Sequence, residues 1–207
     1  MAPRPILSDA DRIRVRQAVA DAEAKTSGEI FAVVAEECDD YRFIPLLWAT
    51  LIALIVPLPL IFLTLWPASL IWLVQIAAFI ALAIGFSLPA VRPAVVPRRV
   101  KREAARALAA QQFLAHGLHT TEARTGVLIF VALAERHAEI IADTGIAAQV
   151  DADAWQGAMD KLVAEVGAGR IADGMIAAIE STGVVLARHF PPRPHDRNEL
   201  PDALILL

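Results

Sequence analysis

The sequence predicts an α/β fold, a small α/β/α sandwich that is split by an inserted two-helix transmembrane hairpin. Two observations predict it. The 49 residues between Arg42 and Arg92 include no Asp, Glu, Lys, Arg or His, although 20% of the 207-residue chain is charged. On either side of this uncharged segment, charged amphipathic helices alternate with short apolar strands. Neither side contains enough elements to close a hydrophobic core alone.

The uncharged segment has room for two spans, because a bilayer core of about 30 Å requires about 20 apolar residues in a helix. Residues 44–66 and 70–88 meet this requirement, and residues 67–69 form the predicted turn. Pro57 and Pro59 interrupt helical hydrogen bonding in the first span, so a kinked helix and a re-entrant segment both fit it. Two helices buried in a soluble core are disfavoured, because so short a chain has too little interior to cover them.

Basic residues beside the hairpin predict its orientation. Arg42 precedes it, the connecting turn has no basic residue, and six basic residues follow it: Arg92, Arg98, Arg99, Lys101, Arg102 and Arg106. We therefore expect a two-span protein with both termini on the cytoplasmic side. The basic run also suits contact with anionic lipid headgroups, and this interpretation stays open beside that of a topology signal.

The flanking segments predict one folded unit made of residues 1–42 and 92–191, with the hairpin at 43–91 and a C-terminal tail at 192–207. Before the hairpin we expect a helix over 9–25, capped by Ser8, and a strand over 29–36. After it we expect helices over 98–116, 153–166 and 171–188 and strands over 127–133 and 138–142. The first two strands should pair in parallel through a crossover that contains the hairpin, and the last two should form a β-hairpin.

Composition disfavours several function classes. The net charge of −4 gives no sign of nucleic-acid binding, and a single cysteine, Cys38, excludes an internal disulfide. The predicted spans carry no ionisable residue, which argues against a transporter or channel formed by this chain alone. The N-terminus leads directly into a charged helix, so we expect no secretory signal peptide.

Several short motifs occur in the order of a known family. They are residues 24–30 (AKTSGEI), 124–133 (RTGVLIFVAL), 134–137 (AERH), 143–146 (DTGI) with Trp155 after it, 186–191 (LARHFP) and 198–201 (NELP). Together they resemble the TPM domain, and the last two resemble a bacterial membrane-anchored branch of that family. The resemblance covers most of the chain outside the hairpin. It implies a TPM-like sandwich held at the bacterial inner (cytoplasmic) membrane.

The resemblance implies two kinds of function: weak acid phosphatase activity with divalent-cation binding, and modulation or assembly of membrane complexes. Soluble members often carry an acidic residue just after the Gly–Ile step, where this sequence has Ala147. Because the sequence also lacks an evident catalytic constellation, we expect a non-enzymatic accessory protein that contacts the lipid bilayer and other membrane proteins. A membrane-tethered, divalent-metal-dependent phosphatase is the alternative.

Two groups of acidic side chains are candidate cation sites, because a hard cation such as calcium requires several oxygen ligands. Asp143 follows the third strand, and Asp151 and Asp153 come shortly after it. The other group combines Glu135 with four carboxylates that follow the first strand: Glu36, Glu37, Asp39 and Asp40. A turn with a helix cap competes with the first interpretation, and a solvated loop competes with the second.

Arg136 and His137 form a candidate anion site in the turn between the last two strands. An arginine and a histidine are suitable donors to a phosphate oxyanion. Polar residues also occupy such turns because turns are solvated, and we favour that interpretation.

Overall fold

The computed structural model describes residues 6–89, 91–192 and 204–207. The chain divides into two compact units, one made of Met1–Cys38 with Glu103–Leu207 and the other of Asp39–Arg102. The first unit is a discontinuous α/β domain, and the second holds the apolar helices. The NELP motif at 198–201 and the first five residues lie outside the described residues.

The elements of the α/β domain alternate between helices and short strands. In chain order they are α1 (Asp9–Glu23), β1 (Glu29–Ala35), β2 (Gly126–Ala132), β3 (His137–Ala142), α7 (Thr144–Ala147), α8 (Gln156–Gly167), α9 (Ile171–His189) and β4 (Leu204–Leu206). The apolar unit contains α2 (Phe43–Ile55), α3 (Pro57–Leu63), α4 (Ala68–Ser87) and α5 (Arg92–Val95). Helix α6 (Arg98–Ala115) begins in the apolar unit and continues into the domain. The predicted helices and strands of the domain are confirmed, with ends that differ by no more than three residues.

The sheet has the strand order β3-β2-β1-β4. Strand β1 pairs in parallel with β2, from Glu29 opposite Gly126 to Ala35 opposite Ala132. Strand β3 returns antiparallel to β2 as a β-hairpin. Both predicted pairings are confirmed. The central strands β1 and β2 are buried along their whole length, as expected for strands that are covered on both faces.

The side chains of β1 alternate between two hydrophobic clusters, because successive residues of a strand point to opposite faces. Ile30, Ala32 and Val34 pack in the cluster that includes the buried residues of α1, α8 and α9. Phe31, Val33 and Ala35 pack in the other cluster, to which helix α6 contributes Ala105, Ala109 and Phe113. Helices thus cover both faces of the sheet, and the predicted α/β/α sandwich is confirmed.

Strand β4 belongs to the segment that the sequence analysis assigns to a tail. It pairs in parallel with β1 through Leu204, Ile205 and Leu206. The pairing continues at Leu207, whose carbonyl oxygen accepts from the Glu36 backbone N–H at 2.8 Å. Three strand residues are too few to show an alternating pattern, so only the unpaired edge of β1 indicates this strand.

The cap that Ser8 is predicted to form is present, and a glycine follows the end of α6. At the start of α1, Ser8 Oγ accepts from the Asp11 backbone N–H at 3.1 Å and donates to Asp11 Oδ2 at 2.7 Å. This hydroxyl, with help from Arg14, holds the pKa of Asp11 below its ordinary value. Helix α6 ends at Ala115, and Gly117 follows two residues later with a φ of 70°, a left-handed conformation that glycine adopts without a steric penalty.

The apolar unit contains two stretches that are long and apolar enough to cross a membrane, Phe43–Leu63 and Ala68–Ser87. Their mean hydropathies are 2.5 and 2.3, and only 11% and 6% of their most apolar windows are buried. Small side chains on α2, Ala49 and Ala53, are buried where α2 packs against α4. The remaining large apolar side chains of both stretches are mostly exposed.

The first apolar stretch is divided between α2 and α3 at Val56, directly before Pro57. Proline lacks the backbone N–H that would continue the helical hydrogen bonds, so the division falls where the sequence predicts a kink. The turn occupies residues 64–67, not the predicted 67–69. Pro67 is extended and its carbonyl oxygen accepts from the Leu70 backbone N–H, so α4 already begins at Ala68.

Gly126 is a position where the fold requires the absence of a side chain. A Cβ there would collide with the carbonyl oxygen of Leu118 and lie 2.9 Å from the Leu118 Cβ. Because backbone atoms cannot move aside easily, Gly126→Ala should lower the free energy of unfolding by about 2 kcal/mol. Thermal unfolding of the full-length protein in detergent measures this change.

Gly157→Ala, in α8, is the matched control. A Cβ at Gly157 meets no atom within 4 Å. Alanine is favoured over glycine inside a helix by about 0.5–1 kcal/mol, so this variant should be slightly more stable than the natural protein. Equal melting temperatures for the two variants would contradict the packing described at Gly126.

Candidate functional site

The corner between β3 and α7 holds the candidate residue Asp143. Its backbone N–H donates to the Gly126 carbonyl oxygen at 2.9 Å, which extends the pairing of β3 with β2. Its Oδ1 atom accepts from the Thr144 backbone N–H at 2.7 Å, so the carboxylate caps α7. The side chain is only 5% exposed. Asp143 is therefore first of all a buried cap of the turn that follows β3.

One oxygen of Asp143 is not used by the cap. Oδ2 is buried and has no hydrogen-bond partner within the part of the chain that the structure describes. Arg124 Nη1 lies 3.9 Å from it, and Arg124 has a positive φ of 56°. Gly145 makes this approach possible, because a Cβ there would collide with the carbonyl oxygens of Ala123 and Arg124. Asp143 and Arg124 thus form a half-buried ion pair that joins two loops at one end of the sheet.

Asp151 and Asp153 do not complete a cation site with Asp143. Both are exposed, and Asp151 occupies the cap position of the 3₁₀ turn Ala152–Trp155. Among residues 6–89, 91–192 and 204–207, no three His, Cys, Asp or Glu side chains come together as a metal-binding group. A calcium ion takes about six to eight oxygen ligands, so the described side chains at this corner do not fit that ion. The reason is geometric: α7 separates Asp143 from the other two aspartates.

The second acidic group is dispersed over two kinds of structure. In the α/β domain, Glu135 Oε1 accepts from the Cys38 backbone N–H at 3.0 Å, which ties the end of β1 to the turn after β2. The ends of β1 and β2 therefore lie on the same side, as their predicted parallel pairing requires. In the apolar unit, Asp40 pairs with Arg42 at 2.9 Å, and Asp39 Oδ1 accepts from the Tyr41 backbone N–H. These carboxylates organise their own loops.

Arg136 lies in the turn that connects β2 to β3, as the sequence predicts, whereas His137 is the first residue of β3 and pairs with Ala132. Arg136 is exposed and has a positive φ of 52°, which few residues other than glycine adopt. His137 is partly buried, and its Nε2 atom lies 3.5 Å from Glu139 Oε2. The nearest charged neighbour of this histidine is thus a carboxylate, which competes with an anion for it. Phosphate binding at this turn stays a prediction.

Sequence analysis did not identify the hydrogen-bond network at the opposite end of β1. Thr26 Oγ1 donates to the Phe190 carbonyl oxygen at 2.7 Å and accepts from the Gly28 backbone N–H at 3.1 Å. Thr125 Oγ1 donates to the Ser27 carbonyl oxygen at 3.1 Å. The network joins the starts of β1 and β2 to the end of α9. Three of the motifs that resemble the family, at residues 24–30, 124–133 and 186–191, meet here. Their presence together in the sequence was the signal that could have indicated this network.

These features define a class of protein: a discontinuous α/β/α domain interrupted by an apolar helical hairpin. Residues 91–185 match the family model described as the TPM domain. The match spans just under half of the chain and agrees with the resemblance that its motifs indicate.

Known structures support the same fold. The NMR structure of BA42 protein from the psychrophilic bacterium Bizionia argentinensis aligns over 100% of this chain and 99% of that chain. The TM-score is 0.64 at 19% sequence identity, a likeness that shows the fold alone. No curated protein matches the chain.

Proposed function

We propose that this protein is a two-span protein of the bacterial inner membrane, and that its TPM domain is a non-enzymatic accessory in the assembly or modulation of membrane complexes. The observation that carries the proposal is the exposed apolar hairpin inserted into the domain after β1. Only 11% and 6% of the most apolar parts of its two stretches, Phe43–Leu63 and Ala68–Ser87, are buried. Apolar surface of this extent is unfavourable in water and favourable in a bilayer.

Two threonine hydroxyls of the hairpin are consistent with a lipid environment. Thr50 Oγ1 donates to the Leu46 carbonyl oxygen at 2.8 Å, and Thr64 Oγ1 donates to the Leu60 carbonyl oxygen. Both hydroxyls therefore satisfy their donors within the helix. This matters in a bilayer core, where no water replaces a missing partner.

The non-enzymatic role rests on how the domain uses its polar side chains. Asp143 caps α7, Glu135 binds the Cys38 backbone, and Thr26 and Thr125 tie the strand starts to α9. Each of these side chains lies in or next to a motif shared with the family, and each holds one loop to another. We infer that the motifs maintain a rigid domain which the hairpin keeps beside other membrane proteins.

The phosphatase remains the second candidate, and one observation favours it. Asp143 Oδ2 is buried, lacks a hydrogen bond within the described residues and lies near Arg124. A substrate could supply the hydrogen bond that this carboxylate oxygen lacks, with the arginine beside it. This pair gives the enzyme hypothesis one residue on which it can be tested.

Reporter fusions test the membrane arrangement. The basic flanks predict that green fluorescent protein fused to either terminus is fluorescent, because it folds in the cytoplasm. Alkaline phosphatase inserted after Leu65, in the turn between the apolar stretches, is the matched control and should be active outside. An active alkaline phosphatase at the C-terminus would overturn the arrangement.

Phosphate release and affinity capture together separate the two functions. Asp143→Asn retains an oxygen that accepts from Thr144, so the variant should fold. For an accessory protein, release of phosphate from p-nitrophenyl phosphate with calcium, magnesium or manganese should be the same in the natural protein and in Asp143→Asn. Capture of the tagged protein from native membranes should recover a specific membrane protein in near-stoichiometric amount.

Asp153→Asn is the control for that assay, because Asp153 is exposed. A metal-dependent rate that falls at least about tenfold in Asp143→Asn, and is unchanged in Asp153→Asn, would establish the phosphatase instead. Capture without a specific partner would count against the accessory role.

A further inference from the structure

The first three turns of α6 carry a group of exposed arginines. Arg98, Arg99, Arg102 and Arg106, here termed the arginine face, are all exposed. At about 100° per residue, the four directions fall within an arc of about 100° around the helix axis. No carboxylate within the part of the chain that the structure describes forms an ion pair with any of them. The arginine face is therefore a concentrated positive surface.

Two of these arginines lie on the same face of α6 as the residues that are buried further along the helix. Ala105, Ala109 and Phe113 recur every four residues and are buried against the sheet. At about 100° per residue, Arg98 and Arg102 point within about 20° of the mean direction of these three side chains. At these positions α6 has left the core of the domain and belongs to the apolar unit. The face of α6 that packs apolar side chains in the α/β domain therefore carries guanidinium groups in the apolar unit.

Contacts within the apolar unit place the start of α6 near one end of the hairpin. Trp48 Nε1, in the second turn of α2, donates to the Val95 carbonyl oxygen at 3.1 Å. Lys101 Nζ, in α6, donates to the Pro93 carbonyl oxygen at 2.7 Å. The segment that contains α5 is therefore held between the beginning of α2 and the beginning of α6. Tryptophan is enriched at the level of the lipid headgroups, and Trp48 marks that level here.

The chain length agrees with this placement. Helix α4 ends at Ser87, and Arg98 follows after only ten intervening residues, four of which form α5. Fully extended, this connection could span about 38 Å. It is shorter than that, because α5 is helical and because Trp48 and Lys101 hold the Val95 and Pro93 carbonyl oxygens beside the beginning of α2. Headgroup phosphates extend about 5–8 Å beyond each side of the hydrocarbon core. Guanidinium groups on long side chains suit that layer, because they bind phosphate oxygens in a bidentate manner.

We propose that the arginine face binds the phosphate groups of anionic phospholipids in the cytoplasmic leaflet, and so fixes α6 to the membrane surface. The inference rests on the proposed membrane anchoring, because the hairpin delivers the arginines to the headgroup layer. Glu103 lies on the same helix turns and is the carboxylate that opposes the interaction. Five basic side chains, with Lys101 included, outnumber it. The bound lipid in turn neutralises four arginines that would otherwise repel one another.

A lipid titration tests the proposal on the full-length protein in neutral detergent. Added phosphatidylglycerol should raise the melting temperature, because a ligand stabilises the folded state that it binds. Added phosphatidylcholine should have little effect, and 0.5 M salt should weaken the response to phosphatidylglycerol. In the Arg98→Gln/Arg99→Gln/Arg102→Gln/Arg106→Gln variant, the apparent affinity for phosphatidylglycerol should fall by at least about tenfold.

Matched variants distinguish lipid binding by the arginine face from a general effect of the protein's positive charge. Lys25→Gln/Arg16→Gln/Lys161→Gln/Arg188→Gln also removes four positive charges, all at exposed positions of the α/β domain. This variant should retain the response to phosphatidylglycerol. If the glutamine variant of the arginine face does not fold, the two pairs Arg98→Gln/Arg102→Gln and Arg99→Gln/Arg106→Gln replace it, each with a smaller expected loss.

Three outcomes would overturn the proposal. An equal loss in both quadruple variants would assign the effect to net charge. An unchanged response in the arginine-face variant would show that the lipid binds elsewhere. A shift by inorganic phosphate as large as that by phosphatidylglycerol would indicate a free-anion site. Because the assay uses detergent, its failure leaves the reporter fusions to decide the membrane arrangement separately.

Discussion

The parallel pairing of β1 with β2 is the constraint on which the rest of this structure depends. Seven residue pairs join strands that are separated in the chain by residues 36–125, which include the whole apolar hairpin. Both strands are fully buried, and each contributes side chains to both hydrophobic clusters. Neither α1 with β1 nor the segment after the hairpin could therefore cover its own apolar surface. The pairing makes the two segments one domain.

The polar residues near the ends of these strands follow from the same constraint. Each end of a parallel pair leaves loops that must be held without the short turn available to a β-hairpin. Glu135 holds the Cys38 backbone at one end, while Thr26 and Thr125 hold the backbone at the other. Residues that a motif comparison would associate with chemistry therefore have an evident structural task. Asp143 is the exception, because only one of its carboxylate oxygens is used by the cap.

Most of the fold could be predicted from the sequence, because its signals are local. The helical period of α9, the apolar runs of β1 and β2, and Gly117 after α6 all depend on neighbouring residues. The pairing of β1 with β2 also followed, since neither flanking segment can close a core alone. Strand β4 did not, because Leu204–Leu206 is too short for a pattern and is recruited by the open edge of β1.

The candidate site was less predictable, because it depends on contacts between distant segments. Asp143 was identified from its place after a strand, but its approach to Arg124 depends on Gly145 fitting against the backbone of another loop. Nearness in sequence suggested that Asp151 and Asp153 would join Asp143, and the intervening helix α7 separates them. The exposure of the arginine face likewise depends on where α6 leaves the sheet.

Hydrogen exchange of the full-length protein in detergent tests the central claim most directly. If β1 and β2 form one cooperative unit, the amides of Phe31 and Val33 should exchange with the same opening free energy as those of Leu128 and Phe130. Both pairs should then respond equally to denaturant, as expected for global unfolding. Exchange of the β1 amides through a separate opening of lower free energy, while β2 stays protected, would contradict the account of one domain across the hairpin.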